Sequence, residues 1–124
     1  MKIHESAEHY LEMILMLRER IGQVRSIDIV NEMGYTKPSV SIAMKRLREN
    51  GYIKMDSDGY ITLLDTGLEI ATEMYNRHKF LAQFLMAIGV SEEIALADAC
   101  KIEHDISDES YQCLKKHFDY FKEM

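Results

Sequence analysis

Cys100, Glu103 and His104 stand at i, i+3 and i+4, a spacing that lays a thiolate, a carboxylate and an imidazole along one helix face. Donors of these three types together can hold a transition metal. The same triplet also fits a core thiol beside two solvated groups on an acidic amphipathic helix. Whether other segments supply matching ligands decides between the two. One earlier pair invites comparison: His9 and Glu12, three apart at the edge of an apolar stripe.

The elements that must position these residues follow from periodicity. Leu11, Ile14, Leu15, Leu17 and Ile21 predict a helix over residues 6–21, stopped by Gly22. Ser26 is expected to cap a short helix over 27–33, with Asp28 in its first turn and Gly34 ending it. Pro38 then sits just inside a new helix, where its missing N–H costs nothing. That helix turns Val40, Ala43, Met44 and Leu47 inward and ends at Asn50-Gly51. Two helices joined by a short Gly-containing turn, the second basic, form a helix-turn-helix. Tyr52-Ile53-Lys54-Met55 and Tyr60-Ile61-Thr62-Leu63 flank Asp56-Ser57-Asp58-Gly59 and predict a hairpin. This is the order of a winged helix, although an unrelated small α+β domain would share it.

From Asp65 or Thr66 a long helix runs to about Ile88, with Leu68, Ala71, Met74, Tyr75, Leu81, Phe84 and Leu85 among its apolar positions. Gly89 ends it. Ser91 and Ser107, each followed by acids, are expected to cap two further helices with their hydroxyls. The last carries an apolar stripe of Tyr111, Leu114, Phe118 and Phe121. Two short helices and the end of a long one offer little to cover such faces, so a homodimer interface is expected. The predicted fold class is mainly α: a winged helix-turn-helix domain over residues 1–64, then a helical domain over 65–124.

Composition sets bounds on function. A chain of 124 residues holds one domain or two very small ones. The apolar run 80–90 is interrupted by Gln83 and is too short to cross a bilayer. The start, Met1-Lys2-Ile3-His4-Glu5, lacks the apolar core of a signal peptide. Cys100 and Cys113 are expected as reduced thiols, which indicates a cytoplasmic protein. The net charge of −6 argues against nucleic acid until its distribution is seen, because residues 65–124 carry twelve acids and six bases. Lys37, Lys45, Arg46 and Arg48 meet no acid between residues 37 and 48. Such a patch can bind phosphates, or simply be a solvated helix face. A metalloenzyme would need an open coordination position and a general base in a pocket. The chain shows no surplus of polar groups for that, and no enzyme is expected.

Four stretches together resemble the metal-dependent repressors of the diphtheria-toxin-repressor and manganese-transport-regulator type. They are Glu8-His9-Tyr10-Leu11-Glu12; Pro38-Ser39-Val40-Ser41 with Arg46-Leu47; Arg77-His78-Lys79-Phe80-Leu81 with Phe84-Leu85; and Cys100-Lys101-Ile102-Glu103-His104-Asp105-Ile106-Ser107. The resemblance spans residues 7–121. It implies metal ligands at His9, Glu12, His78, Cys100, Glu103 and His104, making the second domain one of metal binding and dimerisation. His9 departs from the pattern, which has aspartate there in the manganese type and methionine in the iron type. Cys100 matches the iron type, where the manganese type has glutamate. The iron type's ancillary site would need ligands at Ala82 and Leu96, which have none to offer. A chain of this length also leaves no room for the third, SH3-like domain of the iron type.

Replacing a carboxylate by a thiolate removes an oxygen donor that manganese prefers. Fe(II) is therefore the expected metal, by analogy with the iron type, with Mn(II) next and Zn(II), Co(II) or Ni(II) as in vitro substitutes. The resemblance implies a repressor with metal as co-repressor, fixing the DNA-binding domains of a homodimer on a double-stranded operator. Thr36, Lys37, Pro38, Ser39 and Ser41 are the expected contacts at the start of the recognition helix. Lys45, Arg46 and Lys54 suit phosphates, with Arg46 alternatively packing on the wing. The acidic wing tip speaks against a minor-groove role. The competing reading is a winged-helix regulator answering to an organic ligand or a protein partner without metal, which leaves Cys100, Glu103 and His104 without a task. His4, His117 and Cys113 are expected to be structural or surface residues.

Overall fold

The computed structural model describes residues 5–122; His4 and the side chain of Phe121 lie outside the described residues. Within them the order is α1 (Glu5–Ile21), α2 (Ser26–Met33), α3 (Lys37–Glu49), β1 (Ile53–Met55), β2 (Ile61–Leu63), α4 (Asp65–Ala87), α5 (Glu92–Asp105) and α6 (Asp108–Lys122). The chain divides into two compact units, Met1–Glu73 and Met74–Met124, the division falling within α4.

In the first unit, Leu11, Ile14, Leu15 and Leu17 of α1 are buried together with Ile29 of α2 and Val40, Met44 and Leu47 of α3. These are the positions that helical periodicity selects. Gly34 closes α2 at φ +71°, its N–H donating to the Val30 carbonyl. Pro38 lies in the first turn of α3, and Thr36 accepts the Ser39 N–H at 3.2 Å. Strands β1 and β2 pair antiparallel, with Ile53 opposite Leu63 and Met55 opposite Ile61. A third segment joins this hairpin: the Ile61 N–H donates to the Val24 carbonyl at 2.8 Å. The alternation Ile61 buried, Thr62 exposed, Leu63 buried turns one hairpin face to the core.

The start of α2 differs from expectation. Arg25 rather than Ser26 is the cap residue, because its N–H donates to the Asp28 carboxylate at 2.9 Å. Ser91 also occupies a cap position without a hydroxyl hydrogen bond, whereas Ser107 does accept the Ser110 N–H at 3.1 Å.

The second unit is built on aromatic contacts. Phe80 on α4 meets Tyr111 and Phe118 of α6 edge-on, at centroid distances of 5.6 and 5.7 Å. Leu81, Ala82 and Ala99 complete the buried cluster, flanked by Phe84, Ile102, Ile106, Leu114 and Phe118. Of the α6 stripe, Tyr111 is buried and Leu114 and Phe118 are half-buried within this unit. Among the described residues of this unit, the large apolar side chains left exposed are Met86 and Ile88, at and just beyond the end of α4, and Ile94 and Leu96 early in α5.

At Gly67 the backbone of Tyr52 comes too close to leave room for a side chain. A Cβ there would land on the Tyr52 carbonyl oxygen, which already accepts the Leu64 N–H at 2.9 Å. Backbone yields less readily than a side chain, so Gly67→Ala is expected to cost about 1–3 kcal/mol. Thermal unfolding will show this as a melting temperature several degrees lower.

Candidate metal centre and DNA-binding surface

Each unit carries a cluster of candidate ligands. In the first, α1 presents His9 and Glu12 one turn apart, His9 Nδ1 standing 3.9 Å from Glu12 Oε1. The Glu12 side chain is 3% exposed and that of His9 23%. Next to them, burial pushes the Tyr10 phenol above its usual value, with Tyr35 adding to the effect. The two rings meet edge-on at 5.8 Å.

In the second unit, α4 and α5 bring three expected ligands together. The Glu103 side chain has no exposure, and its Oε2 lies 3.0 Å from His78 Nδ1. Its Oε1 lies 3.3 Å from Nε2 of His104, a side chain only 3% exposed. With a proton on Nδ1, His78 donates to the carboxylate and its Nε2 keeps the lone pair. Cys100 sits one turn before Glu103 on the same helix, half-buried, and no disulfide links it to Cys113. An unexposed carboxylate against two imidazoles is a nitrogen and oxygen donor set that fits a divalent transition metal.

Arg77, beside His78 on α4, was not anticipated. Its guanidinium is buried and donates to the Glu103 carbonyl at 3.4 Å and the Ile106 carbonyl at 3.1 Å. It also pairs with Asp108 at 3.2 Å and lies 4.9 Å from the centre of the Tyr111 ring. Carbonyls of the last helical turn lack intrahelical partners. Arg77 therefore fastens the end of α5, where Glu103 and His104 sit, to the start of α6.

The expected DNA contacts Thr36, Lys37, Pro38, Ser39, Ser41, Lys45, Arg46 and Lys54 are all exposed. Thr36 and Ser39 are partly occupied with each other, Thr36 Oγ1 donating to Ser39 Oγ at 2.9 Å. The α3 arginine that reaches the wing is Arg48, 3.8 Å from Met55 Sδ, while Arg46 stays exposed. The acidic tip has a structural cause, since Asp56 accepts the N–H groups of Asp58 and Tyr60, each at 2.9 Å. At the wing base a cation overlooked in the sequence appears: Arg25 lies over the Tyr60 ring at 4.2 Å. Nothing periodic links two residues so far apart in the chain.

Residues 2–61 match the iron dependent repressor N-terminal DNA binding domain, and residues 64–124 the iron dependent repressor metal binding and dimerisation domain. The chain belongs to the iron-dependent repressor family. It carries that family's DNA-binding and metal-binding domains and is a metal-dependent DNA-binding transcriptional regulator. The transcriptional regulator MntR of Escherichia coli O6:H1 is 33% identical over 111 residues, covering 90% of this chain and 72% of its own. MntR of Bacillus subtilis is 33% identical over 118 residues, covering 95% and 83%. A solved manganese-dependent transcriptional repressor in complex with manganese shares the fold at a TM-score of 0.84 and 25% identity. That match covers 92% of this chain and 53% of the other, so the chain spans about half the length of that repressor.

Arg77→Met removes the donors to two helix-end carbonyls, at an expected cost of about 2–3 kcal/mol. Asp108 is 69% exposed. Asp108→Asn should therefore cost under about 0.5 kcal/mol, and the melting temperatures of the two variants will rank accordingly.

Proposed function

We propose that this chain is a repressor whose co-repressor is a divalent transition metal, held jointly by His9 and Glu12 of α1 and by His78, Cys100, Glu103 and His104 of α4 and α5. The observation that carries this reading is the unexposed Glu103 carboxylate, 3.0 Å from one imidazole nitrogen and 3.3 Å from another. When bound, the cation supplies positive charge that offsets the carboxylates of Glu12 and Glu103.

Those carboxylates belong to different units and repel each other when brought together unaided. With the charge offset, α1 is held against α4 and α5, and the winged helix-turn-helix takes one fixed attitude towards the helical domain that α4 begins. The exposed apolar side chains of Met86, Ile88, Ile94 and Leu96 are covered by a second copy, giving a homodimer. The attitude of each winged helix then sets the distance between two recognition helices, which must match about 34 Å for successive major grooves. Metal acts by population shift and touches no base. Thr36, Lys37, Pro38, Ser39 and Ser41 meet the groove, and Lys45, Arg46 and Lys54 the phosphates of a double-stranded operator. The protein works in the cytoplasm and catalyses no reaction; among the described residues no helix is long and apolar enough to cross a membrane.

The thiol at Cys100 supports Fe(II) as the metal, because sulfur in place of a carboxylate weakens the oxygen-rich environment that Mn(II) favours. The names of the relatives favour Mn(II) instead, and that is the second reading. Duplexes selected from random sequence, titrated with protein under anaerobic conditions, separate the two. Binding should vanish with chelator and return at lower Fe(II) than Mn(II). Cys100→Glu should shift that preference towards Mn(II) by about tenfold, ~1.4 kcal/mol. Binding indifferent to chelator removes the co-repressor reading, and an unshifted Cys100→Glu removes the thiol as selector.

A further inference from the structure

The apolar side chains of α3 divide into two sets. Val40, Met44 and Leu47 are buried, whereas Ile42 is 54% exposed. At about 100° per residue, Ile42 points almost directly away from the buried stripe. Its neighbours on the helix surface, at i−4, i−3, i+3 and i+4, are Pro38, Ser39, Lys45 and Arg46, all exposed. A branched hydrocarbon thus sits in the middle of a cationic and hydroxyl-bearing face. The helix carries Lys37, Lys45, Arg46 and Arg48 between residues 37 and 48, of which Lys45 and Arg46 flank Ile42, and its first acid is Glu49, 4.0 Å from Lys45.

The charge around Ile42 suits a polyanion, and the domain is a DNA-binding one. An isoleucine side chain has no donor or acceptor, so it cannot read the polar groups of a base edge. In the major groove the apolar group on a base edge is the thymine C5-methyl. Against the other bases, Ile42 would strip water from donors and acceptors and return nothing.

We propose that Ile42 is a specificity-determining residue that packs on the C5-methyl of one thymine in each operator half-site, while Lys45 and Arg46 hold the flanking phosphates. This deepens the reading of α3 as the recognition helix and rests on it.

The test uses the full chain with metal and its tightest duplex from random-sequence selection, each thymine replaced in turn by deoxyuracil. That exchange removes one methyl and keeps every hydrogen-bonding group. One thymine per half-site should prove sensitive, with wild-type binding about fourfold weaker per methyl lost. In Ile42→Ala the same exchange should change nothing, and thermal unfolding should match wild type because the side chain is exposed. The proposal is overturned if no thymine is sensitive in the wild type. Sensitivity that persists in Ile42→Ala also overturns it, assigning the methyl to another side chain such as Pro38. Failure of the wild type to select any duplex would overturn the recognition-helix reading as well, so the two failures are distinguishable.

Discussion

A carboxylate removed from water must have its charge compensated where it lies, and Glu103 is removed entirely. Moving such an ion out of water costs several kcal/mol even after relaxation. In the second unit its carboxylate oxygens stand 3.0 Å from His78 Nδ1 and 3.3 Å from His104 Nε2, and the end of α5 that carries Glu103 is tied down by Arg77. That requirement accounts for much of the unit's layout. α4 must bring His78 and Arg77 against α5. The turn between α5 and α6 must place Ile106 and Asp108 within reach of the guanidinium. The Phe80 cluster locks α6 in place, so the polar arrangement sits on a rigid support.

The same requirement bears on metal choice. Histidine and carboxylate donors accept several first-row divalent ions, and geometry, ligand type and availability decide among them. Cys100 is the one candidate whose donor atom differs from oxygen and nitrogen. It lies one turn from Glu103 on α5, which makes it the natural selector, while the α1 pair His9 and Glu12 supplies donors common to many metals. A thiolate ligand also makes such a centre sensitive to oxidation.

What was legible in the sequence was mostly local. Pro38 near the start of α3 and Asn50-Gly51 after it act on adjacent backbone, so α3 could be placed before any tertiary contact was known. The hairpin was legible because Gly59 and the alternating runs around it are neighbours. Cys100, Glu103 and His104 shared a face by spacing alone. The burial of Glu103 was hidden, since an acid two residues after an exposed lysine reads as solvated until α4 is packed against it. Arg77 and the Arg25–Tyr60 stack were hidden for the same reason: their partners are distant in the chain and follow no period. The α6 stripe was legible as apolar, whereas the edge-on packing of Phe80 against Tyr111 and Phe118 was not, because those partners lie far apart in the chain. His78 became legible through resemblance to a family rather than through any pattern of its own.

Anomalous diffraction at the absorption edge of the bound metal tests the central claim most directly. Crystals of the full chain loaded anaerobically with Fe(II) or Mn(II) should show a peak within bonding distance of carboxylate oxygens from both Glu12 and Glu103. A peak confined to surface carboxylates, with Glu103 still paired to His78, would contradict the account. So would a metal bound by α4 and α5 alone without α1.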